Sequence, residues 1–146
     1  MAETLGSLCD KLTIVKLKQY HTTDNARGKS LAEQAIHLQQ EIDEFVLRAI
    51  QGLIPAERLT FSSNKVYKQE GNETRDIQGA IGEVFAELAR VNCELWHEQE
   101  KVYEFEKVDA TEKDKVVKRL AVLNLERNKC IDAIDKKFQN AIASKI

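Results

Sequence analysis

The feature that most constrains the fold is a long apolar stripe between Arg75 and Lys107. Its members recur at alternating spacings of four and three residues, which is typical of a helix that buries one face. At 1.5 Å per residue such a helix would be about 50 Å long. An element of this length and spacing predicts an all-α protein. The members are Ile77, Ile81, Val84, Leu88, Val91, Leu95 and Val102, with Glu98 as the one polar break.

Three further segments carry helical spacing, in a chain with one proline and six glycines. We predict a first helix from near Glu3 to near Arg27, followed by a turn over residues 25–29. A capping box at Ser30-Leu31-Ala32-Glu33 predicts the start of the second helix, and Thr111-Glu112-Lys113-Asp114 predicts the start of the fourth. The predicted inward residues are Leu5, Leu8, Leu12 and Val15, then Leu31, Ala35, Leu38, Ile42, Phe45, Ala49 and Leu53, and finally Val116, Leu120, Leu123, Cys130, Ile134, Phe138 and Ala141.

An internal repeat relates the two halves of the chain. A shift of 76 places lays residues 5–24 onto residues 81–100. The sequence therefore predicts a four-helix bundle built from two repeated helical hairpins, within a single domain over residues 1–146. Hairpin one would cover about 3–53, a long linker about 54–72, and hairpin two about 74–144. The matched pairs include Gly6 with Gly82, Tyr20 with Trp96, His21 with His97, and Asp24 with Glu100.

Charge and composition limit the classes of partner. The 24 acidic and 22 basic residues nearly balance, which argues against a surface built for nucleic acid. No apolar run approaches the ~20 residues that a membrane span needs, and the first residues lack the features of a secretion signal. We therefore expect a cytoplasmic protein without a membrane span. The three cysteines are widely spaced at apolar helical positions, so we interpret Cys9, Cys93 and Cys130 as core residues.

Two elements place a histidine and a carboxylate three residues apart, hence on one helical face. They are Tyr20-His21-Thr22-Thr23-Asp24 and Trp96-His97-Glu98-Gln99-Glu100. The histidines could act as general acid or base, could tie the hairpins together, or could be satisfied by their own helix neighbours. A metal pair is disfavoured because di-iron bundles use the order Glu-x-x-His and need further inward glutamates. We predict no metal and no cofactor.

Polar residues at two other places are candidates for binding. Asn124 and Arg127 interrupt the apolar stripe of the fourth helix, and buried polar groups need partners. Glu98, Glu100 or Asp24 could pair with Arg127, either to set helix register or to build a ligand site. The linker collects Lys65, Tyr67 and Lys68, which could receive a phosphate or nucleotide, although a solvated loop is the more common outcome for such residues.

Several of these motifs resemble an uncharacterised bacterial all-helical domain family. Val91-Asn92-Cys93-Glu94-Leu95-Trp96-His97 is similar to its L-x-x-x-N-x-x-L-W-H pattern, and Leu123-Asn124-Leu125-Glu126-Arg127-Asn128 to its last-helix pattern. Leu12 to Arg27 is similar to the same elements but departs from them at Lys16 and Thr23, and the opening Cys9-Asp10-Lys11-Leu12-Thr13-Ile14 resembles the start of a second uncharacterised family. The first resemblance implies a place among cell-envelope glycan genes. It also implies one polar cluster of His21, Asp24, Arg27, Asn92, Trp96, His97, Asn124 and Arg127.

Two functions follow from these observations. The leading hypothesis is a helical binding or assembly protein, accessory to cell-envelope glycan synthesis, with a protein partner or a second copy in a homodimer. It rests on the balanced charge and on the lack of a specific catalytic motif, which favours a protein that is not an enzyme. The alternative is an enzyme or a binder of a small anionic ligand. Its pocket would lie between the hairpins, with His21, Asp24, Arg27, His97 and Glu100 around it.

Overall fold

The protein is all-helical, as the spacing predicts. A computed structural model describes residues 2–61 and 79–144, and this part of the chain contains four α-helices and no strand. Short 3₁₀ turns at Ala56–Arg58 and Phe105–Lys107 follow α2 and α3. The helices are α1 (Leu5–His21), α2 (Asn25–Ile50), α3 (Ile81–Tyr103) and α4 (Ala110–Ser144).

The core lies where α1 meets the other three helices. Helix α1 packs against α2, α3 and α4, and the most extensive contacts join α1 to α2 and α3 to α4. Apolar side chains from all four helices form the main cluster, in which Leu88 and Leu123 are fully buried. A smaller cluster around Val15 and Leu31 joins α1 to the first half of α2. The middle of each predicted stripe therefore faces the core.

The turn between α1 and α2 lies earlier than the sequence predicts. Helix α1 ends at His21, not near Arg27, and α2 begins at Asn25, not after Ser30. The reason is Asp24, whose backbone is extended and whose Oδ1 accepts a hydrogen bond from the backbone N–H of Arg27 at 2.9 Å. An aspartate in this position is a strong N-cap. Because Asp24 starts the helix, the later capping box falls inside it.

Helix α3 is shorter than the predicted stripe. It begins at Ile81 because Gly79 has a φ of 106°, a left-handed conformation that ends helical continuity. Its other end lies at Tyr103, where a 3₁₀ turn replaces the helix predicted to reach Lys107. Arg75 and Ile77 lie outside the described residues. The ends of the stripes are exposed, against prediction, at Ile81, Val102, Leu53 and Ala141.

The segment after α2 is tied to the core. Gln139 of α4 donates a side-chain hydrogen bond to the backbone oxygen of Ala56 at 2.7 Å. Leu59 then inserts into the main cluster and has no exposed surface. The predicted linker over about 54–72 is therefore anchored at its start, and residues 62–78 lie outside the described residues.

Helices α1 and α4 approach each other closely at Gly6. A Cβ added to Gly6 would lie 2.5 Å from the backbone oxygen of Ile131. The Gly6 N–H donates to Oδ1 of the buried Asp135 at 2.7 Å. Gly82, the predicted equivalent of Gly6, faces open space. A side chain is therefore excluded at one of these glycines only, and the duplication stays a prediction.

We expect Gly6→Ala to lower the free energy of unfolding by about 2 kcal/mol, because the new methyl group would collide with backbone rather than with a movable side chain. Gly82→Ala is the matched control. It should raise stability by roughly 0.5–1 kcal/mol, since alanine favours the helix and nothing obstructs it. Urea denaturation measures both. Equal stability of the two variants would contradict the close approach.

Candidate functional site

A buried polar cluster joins α1, α3 and α4. Its centre is Asp10 of α1, which is 4% exposed. The Arg127 Nε–H donates to both carboxylate oxygens of Asp10, at 3.1 and 3.2 Å. Asn92 Nδ2 donates to Oδ1 of the same carboxylate at 2.9 Å. A buried carboxylate is stable only with such partners, so the cluster fixes the three helices relative to one another.

Thr13 completes the hydrogen bonding of this cluster. Asn92 Nδ2 donates to Thr13 Oγ1 at 2.7 Å, and that hydroxyl donates to the backbone oxygen of Asp10 at 2.8 Å. Arg127 therefore pairs with Asp10, and the predicted pairing with Glu98, Glu100 or Asp24 is wrong. Glu98 pairs instead with Lys101 at 3.1 Å, and Asp24 caps α2.

Aromatic rings meet beside the C-terminal end of α1. The rings of His21 and Trp96 are stacked, with centroids 4.7 Å apart and planes 9° apart. His97 lies edge-on to His21 at 6.3 Å, and Tyr20 lies edge-on to His21 at 5.2 Å. The Tyr20-His21 and Trp96-His97 elements of the sequence therefore lie side by side, and their aromatic rings are in contact.

The carboxylates of these elements do not orient the histidines as predicted. Asp24 is engaged at the N-terminus of α2, and among the described residues His21 makes ring contacts only. The His97 Nδ1 and Glu100 Oε1 atoms are 3.9 Å apart, beyond hydrogen-bonding distance, and both side chains are mostly exposed. The pairing of His21 with Asp24 is wrong, and that of His97 with Glu100 is weak.

A first cleft opens between α1, α2 and α3. It has a volume of about 630 Å³, and the His21–Trp96 stack forms one wall. Two cations, Lys18 of α1 and Arg27 of α2, stand in the same cleft. The remaining lining residues are Thr22, Ser30, Leu31 and Gln34.

A second cleft lies between α1, α3 and α4. It has a volume of about 430 Å³ and shares Lys18 and Trp96 with the first cleft. Arg127 reaches it from the buried cluster. Its other polar lining residues are Asn92, Gln99, Tyr103 and Asn124, and its apolar ones are Ile14, Leu17 and Leu95.

The charge of both clefts is one-sided. Lys18, Arg27 and Arg127 are cationic, and no aspartate or glutamate lines either cleft within the described residues. Over residues 2–61 and 79–144, neither Lys18 nor Arg27 forms an ion pair. The chain as a whole carries a net charge of −2, so this local excess of cations is a property of the clefts. It favours an anion as ligand.

Of the nine predicted site residues that the structure describes, six fall into two groups around Trp96. His21, Arg27 and Trp96 line the first cleft, whereas Asn92, Asn124, Arg127 and Trp96 line the second. His97 touches the ring group but lines neither cleft, and Asp24 and Glu100 stand apart. Lys65, Tyr67 and Lys68 lie outside the described residues.

Sequence reasoning assigned no role to Asp10, Thr13 or Lys18. The sequence signal for Asp10 is its position four residues after Gly6, on the same face of α1. A glycine inside a helix indicates that another helix approaches there, and a polar residue one turn later then needs a buried partner.

No group of three or more His, Cys, Asp or Glu side chains is arranged to hold a metal ion in the described residues. In the same residues no helix has the length and apolar content needed to cross a membrane. Comparison with protein-family models, curated proteins and solved structures finds no match to the chain. The resemblance to a bacterial helical family stays a prediction.

The cysteines differ in burial. Cys9 and Cys130 are buried and form no disulfide, as expected for core residues, whereas Cys93 is half-buried. Burial, together with the nearby carboxylates of Asp135 and Asp10, raises the pKa of the Cys9 thiol from about 9 to about 11, and burial is the largest cause. The neutral thiol therefore packs beside two buried acids.

We expect Asp10→Ala to lower the free energy of unfolding by roughly 3 kcal/mol, because Arg127 loses its partner in a partly buried position. The double variant Asp10→Ala/Arg127→Met should recover part of this loss. Glu112→Ala is the control, since its pair with Lys115 is exposed and worth less than about 0.5 kcal/mol. Urea denaturation would contradict the cluster if the Asp10 and Glu112 variants behaved alike.

The raised pKa of Cys9 predicts a loss of stability in alkali. Between about pH 9 and pH 11 the thiol ionises in the unfolded chain but stays protonated in the folded one. The unfolded state then binds fewer protons, so stability falls as pH rises, by on the order of 1–2 kcal/mol. Cys9→Ala should flatten this part of the stability–pH curve, and Cys93→Ala should leave it unchanged. An unchanged slope in Cys9→Ala would disprove the shift.

Proposed function

We propose that this chain is a non-enzymatic helical binding protein, and that its ligand is a small anion bearing a ring. The observation that carries the proposal is the stacked His21–Trp96 pair beside Lys18 and Arg27 in the first cleft. Sites for small molecules combine an apolar wall with a few placed polar groups, and this cleft has both.

Each wall of the first cleft suits one part of such a ligand. The flat rings of His21 and Trp96 offer a surface for a base or for the apolar face of a sugar. Lys18 and Arg27 offer positive charge to a phosphate or carboxylate. Ser30 and Gln34 provide further hydrogen-bonding groups for hydroxyls.

Binding is favoured over proton transfer by the surroundings of His21. A histidine that acts as general acid or base usually has a second group that orients its ring. His21 is instead held by stacking, and Asp24, the acid predicted to orient it, caps α2. The role of this ring is better explained as a surface for the ligand.

The wider parts of the proposal rest on the sequence. The repeat of two hairpins is supported by the convergence of its matched elements, because His21 contacts both Trp96 and His97. A place in the cytoplasm, in support of cell-envelope glycan synthesis, rests on the family resemblance. Phosphorylated sugars of such a route would match the chemistry of the cleft.

Self-association is a second candidate, favoured by the outward face of α2. Ile36, Leu47 and Ile50 are each exposed by more than 40% and lie on one side of this helix. Leu53 extends the apolar surface beyond its end. Such side chains are common at subunit contacts, so the homodimer stays part of the proposal, with sedimentation velocity as its test.

Ligand binding can be read from Trp96, the only tryptophan of the chain. Titration with phosphorylated sugars, nucleotides and their unphosphorylated parents should change its fluorescence for the phosphorylated compounds alone. A ligand at a hundred times its dissociation constant should add about 2.7 kcal/mol of stability. For a domain of this size that is a rise in melting temperature of roughly 5–10 °C.

Matched variants assign the response to the first cleft. His21→Ala and Arg27→Ala should each weaken binding, whereas His37→Ala and Lys29→Ala, at exposed positions of α2 outside the cleft, should not. If no phosphorylated compound altered the fluorescence or the melting temperature, or if all four variants bound equally well, the proposal would fail.

A further inference from the structure

We infer that the two clefts form one elongated site, and that its ligand is a diphosphate ester with a ring at one end, such as a nucleoside diphosphate. This inference rests on the proposed function and names the class of ligand. The ring would lie against the His21–Trp96 stack in the first cleft, and the two phosphates would extend past Lys18 toward Arg127 in the second.

Continuity between the clefts comes from shared lining residues. Lys18 of α1 and Trp96 of α3 line both of them. A ligand seated against the His21–Trp96 wall is therefore next to a cationic residue that also lines the second cleft. Two separate ligands would have to share Lys18. A single extended ligand would instead contact Lys18 near the middle of its length.

Three cations are distributed along this site. Arg27 lines the first cleft only, Lys18 lines both, and Arg127 lines the second only. Arg127 is paired with the buried Asp10, whereas Lys18 and Arg27 form no ion pair among the described residues, so a single phosphate in one cleft would leave the donors of the other cleft unused. A diphosphate, with two to three negative charges spread along its length, engages the cations of both clefts.

Asp10 prepares Arg127 for this role. It binds Arg127 through Nε, at 3.1 and 3.2 Å, and no described residue bonds to the terminal Nη groups. The guanidinium plane is thereby held while its outer donors remain available, which suits the bidentate recognition of phosphate oxygens. The charge of Asp10 offsets part of that of Arg127, so the Nη groups act chiefly as fixed hydrogen-bond donors.

Neutral donors in the second cleft would complete the recognition of the terminal phosphate. Gln99 and Asn124 carry side-chain amides and Tyr103 a phenol, and all three line this cleft. Gln99 and Asn124 are exposed, so they can be replaced without disturbing the buried cluster around Asp10. Arg127 cannot serve this purpose, because its removal would leave Asp10 buried without its cation.

Calorimetric titration of the full chain with inorganic phosphate, pyrophosphate and ADP or UDP tests the inference. Pyrophosphate should bind about tenfold more tightly than phosphate, because it reaches both clefts. The double variant Gln99→Ala/Asn124→Ala should weaken pyrophosphate and the nucleoside diphosphate about tenfold. His21→Ala should weaken the nucleoside diphosphate only. Gln40→Ala/Asn140→Ala, at exposed positions outside both clefts, is the matched control.

The outcomes separate this inference from the proposed function. If pyrophosphate bound no more tightly than phosphate, or if the Gln99/Asn124 variant bound the nucleoside diphosphate normally, the elongated site would be wrong. The proposed function would still stand if a ringed anion bound and required His21 and Arg27. If none of the probes bound, both would fall.

Discussion

The contact on which the rest of the structure depends is the one between Asp10 and Arg127, with Asn92 as the third member. Removing a carboxylate from water costs several kcal/mol, and only well-placed hydrogen bonds offset this cost. The partners come from α1, α3 and α4, so any rotation of one helix about its axis would break the set. Apolar side chains would tolerate such a rotation better, because their contacts have no direction.

A second contact between helices lies one turn away, at Gly6, and depends on close packing of two backbones. Gly6 lets α1 approach the backbone of α4, and its N–H binds the carboxylate of Asp135. Together the two contacts hold the start of α1 close to α4 and the middle of α1 against both α3 and α4. The end of α1, with Lys18 and His21, is thereby left between the helices that form the two clefts. The position of the candidate site is thus a consequence of contacts at the other end of the same helix.

Helical spacing in the sequence predicts which face of each helix is buried. It does not predict which polar side chains become partners across different helices. Val84, Leu88 and Leu123 were identified correctly, because a spacing of four and three residues reports directly which face is buried. The partner of Arg127 is not predicted, because Asp10 lies 117 residues away in the sequence and several nearer acidic residues could pair with Arg127 equally well. Only the rotation of each helix decides among them. The role of Asp24 is equally open in the sequence, because an aspartate can either cap a helix or pair with a nearby histidine.

The burial of Leu59 fixes the length of the segment that follows α2. Residues 51–58 span a fixed gap between the end of α2 and a side chain enclosed by the core, so a deletion there would pull Leu59 from its place. An added residue in this stretch would likewise displace Leu59 or buckle the chain that leads to it, so its length is set by the core and not only by the need to connect two helices.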